Sequence, residues 1–286
     1  MSEKSSLAIN TLESEQLILE HSKVGIIAGN GDFPLMFCQK AKQNNCSTVV
    51  VAHVGETEKG IEELSDSCTW VKLGQLGKLI STFKENNVKV VVMAGGISRI
   101  KHFGNLKLDL KGVTFLAKIR STKDDVVMRG IASELEKEGI RVVSCLSFFS
   151  EHVVGRGVFV GKKLSKQEKQ DVEVGISAIK AISSEDIGQL VVVKEGVVVA
   201  VEAVEGTDAT ITRGGALGGE GSVVVKFAKT TQDLRFDIPT IGLNTIKVLK
   251  DSSVRVLAIE ADKNLLLEPE LIKAEAEKSN ISIIGI

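Results

Sequence analysis

The stretch Lys23-Val24-Gly25-Ile26-Ile27-Ala28-Gly29-Asn30-Gly31-Asp32-Phe33-Pro34 is an apolar run that breaks into a glycine turn and then opens a helix. Six residues ending at Ala28 are too few for a helix and apolar enough for a strand buried on both faces. Gly29 and Gly31 supply the backbone freedom of a tight turn. Pro34 fits the first turn of a helix, where its missing N–H costs little. Backbone N–H groups at such a turn, reinforced by the helix dipole, favour a phosphate. The dinucleotide fingerprint asks for a third small residue where Pro34 stands. The motif therefore speaks for phosphate more than for NAD, and a tight turn without any ligand is the plain alternative.

Outward from this stretch the pattern repeats. Ser47–Ala52, Thr69–Leu73, Val88–Met93 and Ile140–Cys145 read as further buried strands. Helices are expected from the glycine turn to about Asn44, at Lys78–Asn86 and at Asp124–Glu138, where Val127, Ile131 and Leu135 form one apolar stripe. Continuous Val/Ile strands alternating with helices predict an α/β fold, with a Rossmann-like parallel sheet over residues 23–150. Residues 1–22 are a polar, acidic extension, helical over Leu12–Glu20. Glycines at 155, 157 and 161 mark 151–164 as a linker. A mixed α/β domain is expected over 165–286. It opens on a capping box, Ser165-x-x-Glu168, and contains a hairpin turning at Glu195-Gly196. A glycine-rich stretch runs from Gly214 to Ser222, and a strand lies at Val223–Phe227. Helices at Pro239–Lys250 and Glu268–Lys278 each open on their proline, and buried strands lie at Val254–Ile259 and Ile281–Ile286.

The totals narrow the class. A length of 286 residues favours two domains. With 36 basic and 37 acidic residues the net charge is −1, which argues against nucleic acid as the main partner. Four cysteines without C-x-x-C spacing read as reduced thiols in a cytoplasmic protein. No apolar run is long enough to span a membrane.

The chemistry is expected in the second half. In Asp233-Leu234-Arg235-Phe236-Asp237-Ile238-Pro239-Thr240-Ile241-Gly242, a strand would place Asp233, Arg235 and Asp237 on one face, with Pro239 opening a helix. Two carboxylates and a guanidinium beside a helix N-terminus suit Mg²⁺ and phosphate oxygens. Glu205, Asp208 and Arg213 add charge nearby, and buried charges need partners or metal. A structural salt-bridge network is the competing reading. Lys226 and Lys229 are placed to hold a diphosphate. In the first half, Gly95, Gly96 and Ser98 end the fourth strand on the same sheet edge as Gly29, Asn30 and Gly31, so a nucleotide spans both turns. Asp124 opens a helix, either as a cap or as a ligand contact. The four histidines form no metal motif, so a metal site here is all oxygen, for Mg²⁺ or Mn²⁺.

Four segments carry a resemblance: Gly25-Ile26-Ile27-Ala28-Gly29-x-Gly31-x-x-Pro34, Asp186-Ile187-Gly188-Gln189, Glu202-Ala203-x-Glu205-Gly206-Thr207-Asp208-Ala209 and Gln232-Asp233-x-Arg235-x-Asp237-x-Pro239-Thr240-Ile241-Gly242. In this order they resemble the LpxI family, whose members are UDP-2,3-diacylglucosamine pyrophosphatases of lipid A biosynthesis. The resemblance spans about Lys23 to Ile286. It implies Mg²⁺-dependent hydrolysis of the substrate diphosphate to 2,3-diacylglucosamine 1-phosphate (lipid X) and UMP, and a homodimer. It aligns the family's catalytic aspartate with Asp237. Lys123 stands where the family has glycine, and the segment after Arg213 is shorter and richer in glycine.

On this basis Asp237, Asp233, Arg235 and Asp208 are the expected catalytic set, with Asp237 and Asp208 holding the metal. Asp237 serves either as metal ligand or as general base. Gly29, Asn30, Gly31, Gly95, Gly96, Ser98, Asp124, Gln189, Thr207, Arg213, Lys226, Lys229 and Thr240 are the expected substrate contacts. A lipid-linked substrate also implies loose association with the inner leaflet. The rival classes are an NAD(P)-dependent oxidoreductase, disfavoured by Pro34 and the absence of tyrosine, and a non-enzymatic nucleotide-binding protein.

Overall fold

The computed structural model describes residues 14–97, 107–119, 124–183, 185, 187–228, 233–236 and 238–286. The chain divides into two units at Phe148/Phe149, and Asp233–Phe236 returns to the first. Among the described residues no helix is long and apolar enough to cross a membrane.

In the first unit α1 (14–21) leads into β1 (Lys23–Ala28). Then come α2 (Phe33–Gln43), β2 (Ser47–His53), α3 (Ile61–Leu64), β3 (Ser67–Val71), α4 (Leu76–Glu85), β4 (Val90–Ala94), α5 (Leu110–Lys118), α6 (Asp124–Lys137) and β5 (Arg141–Val143). The five strands are parallel, in the order β3-β2-β1-β4-β5. That is the order of the first five strands in a dinucleotide-binding sheet. β1 is central, which explains why its run is apolar on both faces. Val49, Val51, Val91 and Met93 alternate onto one face, where Leu79, Phe83 and Leu135 meet them.

In the second unit the order is β6 (Gly157–Val160), α7 (Lys166–Ser183), β7 (Leu190–Lys194), β8 (Val197–Val201), α8 (Thr207–Gly218), β9 (Ser222–Lys226), β10 (Thr240–Ile241), α9 (Leu243–Asp251), β11 (Val254–Ile259), β12 (Leu265–Leu266), α10 (Pro269–Lys278) and β13 (Ser282–Gly285). A six-stranded mixed sheet runs β6-β13-β11-β9-β7-β8. Strand parity sorts its side chains. Val191, Val193, Val223 and Val225 pack with Val172 and Ile179 of α7. Leu190, Val192 and Val224 face the other way, with Ile211 of α8, Ile246 and Leu249 of α9 and Ile272 of α10. By the same parity Lys226, two residues after Val224, points to the α8 side. The capping box forms reciprocally: Glu168 N–H donates to Ser165 Oγ at 3.2 Å, and Ser165 N–H to Glu168 Oε2 at 2.7 Å. The β7–β8 hairpin turns on Glu195 and Gly196, both at positive φ, as a two-residue loop requires.

Several sequence expectations are corrected. The third strand begins two residues earlier than expected, at Ser67. The stretch read as a linker holds β6, which pairs antiparallel with β13. Asp233–Phe236 is no strand: Leu234–Phe236 form a turn, closed by Phe236 N–H on Asp233 O at 3.2 Å. Phe236 joins the first unit's core, and burying that one aromatic decides the local path. Pro239 opens no helix. Its carbonyl accepts from Leu265 N–H at 2.9 Å, β10 pairs with β12, and α9 starts only at Leu243. Of the three prolines, Pro34 and Pro269 sit at helix starts.

The glycine-rich stretch is largely helix, since α8 runs on to Gly218. Its glycines are there for close approach. A Cβ on Gly214 would lie 2.4 Å from Val192 of β7, and one on Gly215 would lie 2.4 Å from the Ser252 carbonyl. Helix propensity alone would make Gly215→Ala stabilising by about 1 kcal/mol. Overpacking against a backbone carbonyl costs about 1–3 kcal/mol. Gly215→Ala is therefore expected to lower the urea midpoint, and a raised midpoint would refute the close-packing account.

Candidate active site

At one end of the second unit's sheet, four chain segments converge. Lys226 ends β9, and Gln189 precedes β7, its carbonyl accepting from Phe227 N–H at 3.0 Å. Glu202 follows β8, its N–H donating to Leu190 O at 2.9 Å. Gly206, at φ +82°, caps the N-terminus of α8. Antiparallel pairing of β7 with both neighbours brings these ends together.

Glu202 and Lys226 are charged yet only 6 % and 4 % exposed. Buried charges need partners. Glu202 Oε2 accepts the Gln189 N–H at 3.0 Å, and its Oε1 accepts the Thr207 hydroxyl at 2.8 Å. Thr207 Oγ1 accepts in turn from Lys226 Nζ at 3.3 Å, and the ammonium also donates to Thr240 O at 3.4 Å. Because the hydroxyl proton is committed to Glu202, the oxygen lone pairs are turned toward Lys226. Beside this relay, Asp208 in the first turn of α8 takes Asn244 Nδ2 at 2.6 Å and Thr245 Oγ1 at 3.4 Å. A lysine at the positive end of a helix is a place for an anion. Of the neighbouring groups, the Asp208 carboxylate is the one of a kind that binds a hard cation. Among the described residues no group of three His, Cys, Asp or Glu could hold a metal ion.

The expected charge concentration divides. Glu205 pairs with Arg213 at 2.6 Å, and Arg213 Nη2 also donates to Val201 O at 2.9 Å. Hydrogen bonds from backbone N–H groups and from Arg213 hold the Glu205 carboxyl below its ordinary range. Asp233 and Arg235 belong to the first unit. Arg235 grips Asp233 through Nε at 3.1 Å and Nη2 at 2.9 Å, and it reaches Glu136 at 3.1 Å. Arg129 adds a second guanidinium to Asp233 at 3.2 Å. For this pair the salt-bridge reading describes the geometry. Asp237, Ser98 and Lys229 lie outside the described residues, and so does the side chain of Asp124 at the start of α6.

In the first unit the two glycine turns meet, but on each other. Gly29 N–H donates to Ala94 O at 2.8 Å and Asn30 N–H to Gly96 O at 2.7 Å. A Cβ on Gly29 would lie 2.2 Å from Gly96 O, and one on Gly95, at φ +82°, would lie 2.4 Å from Asn30 O. The glycines allow backbone to touch backbone, and these two amides are committed to carbonyls. Asn30 Nδ2 donates to the buried Glu56 at 2.8 Å, and Thr57 Oγ1 to Ala28 O at 2.7 Å. Glu56, Thr57, Glu202 and Asn244 were not singled out as site residues. Glu56 and Thr57 lie a short turn beyond the strand expected at Ser47–Ala52, and Glu202 heads one of the four segments that carry the resemblance.

Two family models match the chain: the LpxI N-terminal domain over residues 23–152 and the LpxI C-terminal domain over 155–284. The chain belongs to the LpxI family. The UDP-2,3-diacylglucosamine pyrophosphatase LpxI of Caulobacter vibrioides is 28 % identical over 275 residues, covering 92 % of this chain and 97 % of that protein. The biotin carboxylase domain of Hydrogenobacter thermophilus 2-oxoglutarate carboxylase aligns with a TM-score of 0.27 and 12 % identity, over 62 % of this chain and 35 % of that one. That likeness is too slight to bear on fold or function.

Asp233 offers a test of its structural role. Burial works to raise its pKa, but hydrogen bonds and charge from Arg235, with Arg129, hold it below the ordinary aspartate value. A depressed carboxylate stabilises above its unfolded pKa and ceases to do so as pH falls through its folded one. Asp233→Asn is expected to cost about 1–3 kcal/mol at pH 7. Its gap from the parent protein should close as pH drops below about 4. Urea unfolding at the two pH values checks this, and a gap independent of pH would contradict it.

Proposed function

We propose that this LpxI family member hydrolyses the diphosphate of UDP-2,3-diacylglucosamine to 2,3-diacylglucosamine 1-phosphate and UMP. The observation that carries the reading is the buried Lys226 ammonium, steered by Thr207 and Glu202 at the positive end of α8. The named relative, matched along nearly its whole length, supplies the substrate. Hydrolysis adds one water oxygen to phosphorus and breaks one bridging P–O bond, so negative charge grows on the phosphoryl oxygens. A fixed ammonium opposite that charge stabilises the transition state more than the ground state. Glu202 holds Thr207, Thr207 and the Thr240 carbonyl hold Lys226, and none has to reorganise as charge develops.

Asp208 and Asp237 are the residues that would hold Mg²⁺, or Mn²⁺, through the hard oxygens of their carboxylates. When bound, the ion supplies Lewis-acid charge at the phosphoryl group. Asp237 either holds the ion or takes the proton of the attacking water. Loose association with the inner leaflet follows from a substrate that carries two acyl chains, and the homodimer implied by the family resemblance completes the proposal.

UMP release from the purified protein, followed across a Mg²⁺ titration, tests the activity. Lys226→Met is expected to lower kcat/KM by about 10²-fold or more, and Asp237→Ala to abolish turnover while substrate binding persists. Near-parental turnover in folded Asp237→Ala protein would sink its assignment. Unchanged kcat/KM in folded Lys226→Met protein would remove the phosphate role given to the relay.

A further inference from the structure

α5 is held in place by its inner face. Gly112 packs so closely that a Cβ there would lie 2.1 Å from Gly74 O, and Phe115 lies against Gly130 and the first unit's core. Asp109 caps the helix, its Oδ1 accepting Gly112 N–H at 2.8 Å, and its Oδ2 accepts Lys78 N–H at 3.0 Å. The outer face therefore has a fixed direction. It carries Leu110, Val113 and Ala117 at i, i+3 and i+7, one stripe of a helix. Leu110 is 88 % exposed and Val113 50 %. Isolated exposed leucines are ordinary, but an apolar stripe aligned on the outer face of an anchored helix marks an interaction surface.

Charge identifies the occupant. Lys107 and Lys118 flank the stripe in the open, and Lys111 pairs with Glu138 at 2.6 Å. Between Arg99 and Lys123 the sequence has seven basic residues against one acid, Asp109, a net of +6 in a chain whose total is −1. The remainder of the chain accordingly carries −7. Basic residues bordering an apolar stripe are the pattern of a helix lying in the interface of an anionic bilayer. A two-fold contact through the same face would set Lys107 and Lys118 against their own copies, which like charges oppose.

We propose that the Leu110–Val113–Ala117 face of α5 docks on the surface of an anionic lipid bilayer. This rests on the lipid-linked substrate proposed above for its purpose. Its test is separable, because binding to substrate-free vesicles involves no turnover.

The experiment is co-sedimentation of the full chain with vesicles of phosphatidylcholine alone and with vesicles that also contain phosphatidylglycerol. The expected result is binding to the second kind only, weakened by salt. Leu110→Asp with Val113→Asp should reduce it by about 10-fold or more. Lys118→Glu should reduce it by about 5-fold or more. Circular dichroism and hydrolysis of substrate in detergent micelles should stay at parental levels. Binding that ignores lipid charge, that is absent, or that survives both sets of substitutions overturns the proposal. So does a shift from dimer to monomer in the apolar double variant with vesicle binding unchanged, which would make this face a self-interface.

Discussion

A charged ammonium cannot rest in a packed interior without oxygen partners around it, and Lys226 at 4 % exposure is the clearest case among the described residues. Its neighbours follow from that demand. Glu202 is drawn in as a second buried charge, Thr207 stands between the two, and the Thr240 carbonyl also accepts from the ammonium. Each comes from a different element, so the site exists only when β7, β8, β9, β10 and the start of α8 are all in place. α8 can lie this close to the sheet because Gly214 and Gly215 present no side chain to Val192 and Ser252.

The existence of the buried strands was the most legible part of the sequence. Val-rich runs gave both sheets, and the parity of β9 places Lys226 on the face of α8. The capping box at Ser165 and the Glu195-Gly196 hairpin were equally readable, because each is fixed by residues within four positions of one another. What escaped was set by contacts distant in sequence. Asp233–Phe236 alternates like a strand, yet Phe236 has a core to enter and Asp233 has Arg129, more than a hundred positions away, to meet. Pro239 looks like a helix start until β12 offers its carbonyl a partner.

The same limit applies to the site. Thr207, Lys226, Gln189 and Thr240 were expected as substrate contacts, and they converge around Glu202. Asp233 and Arg235 were expected in the same cluster because they are near in sequence. Proximity along the chain says little where the chain changes units, as it does between Gln232 and Asp233. The glycine turns show a subtler case. Gly29 and Gly95 were read as room for a nucleotide, and the room is filled by the other turn's backbone.

The central claim is that this chain cleaves a lipid-linked nucleotide diphosphate with water, and it is tested most directly by isotope. Incubation with UDP-2,3-diacylglucosamine and Mg²⁺ in ¹⁸O-water, followed by mass spectrometry, should yield UMP and 2,3-diacylglucosamine 1-phosphate in equal amounts. A single ¹⁸O should appear in one of the two, reporting which phosphorus is attacked. Absence of both products, or products that carry no ¹⁸O, would contradict the account.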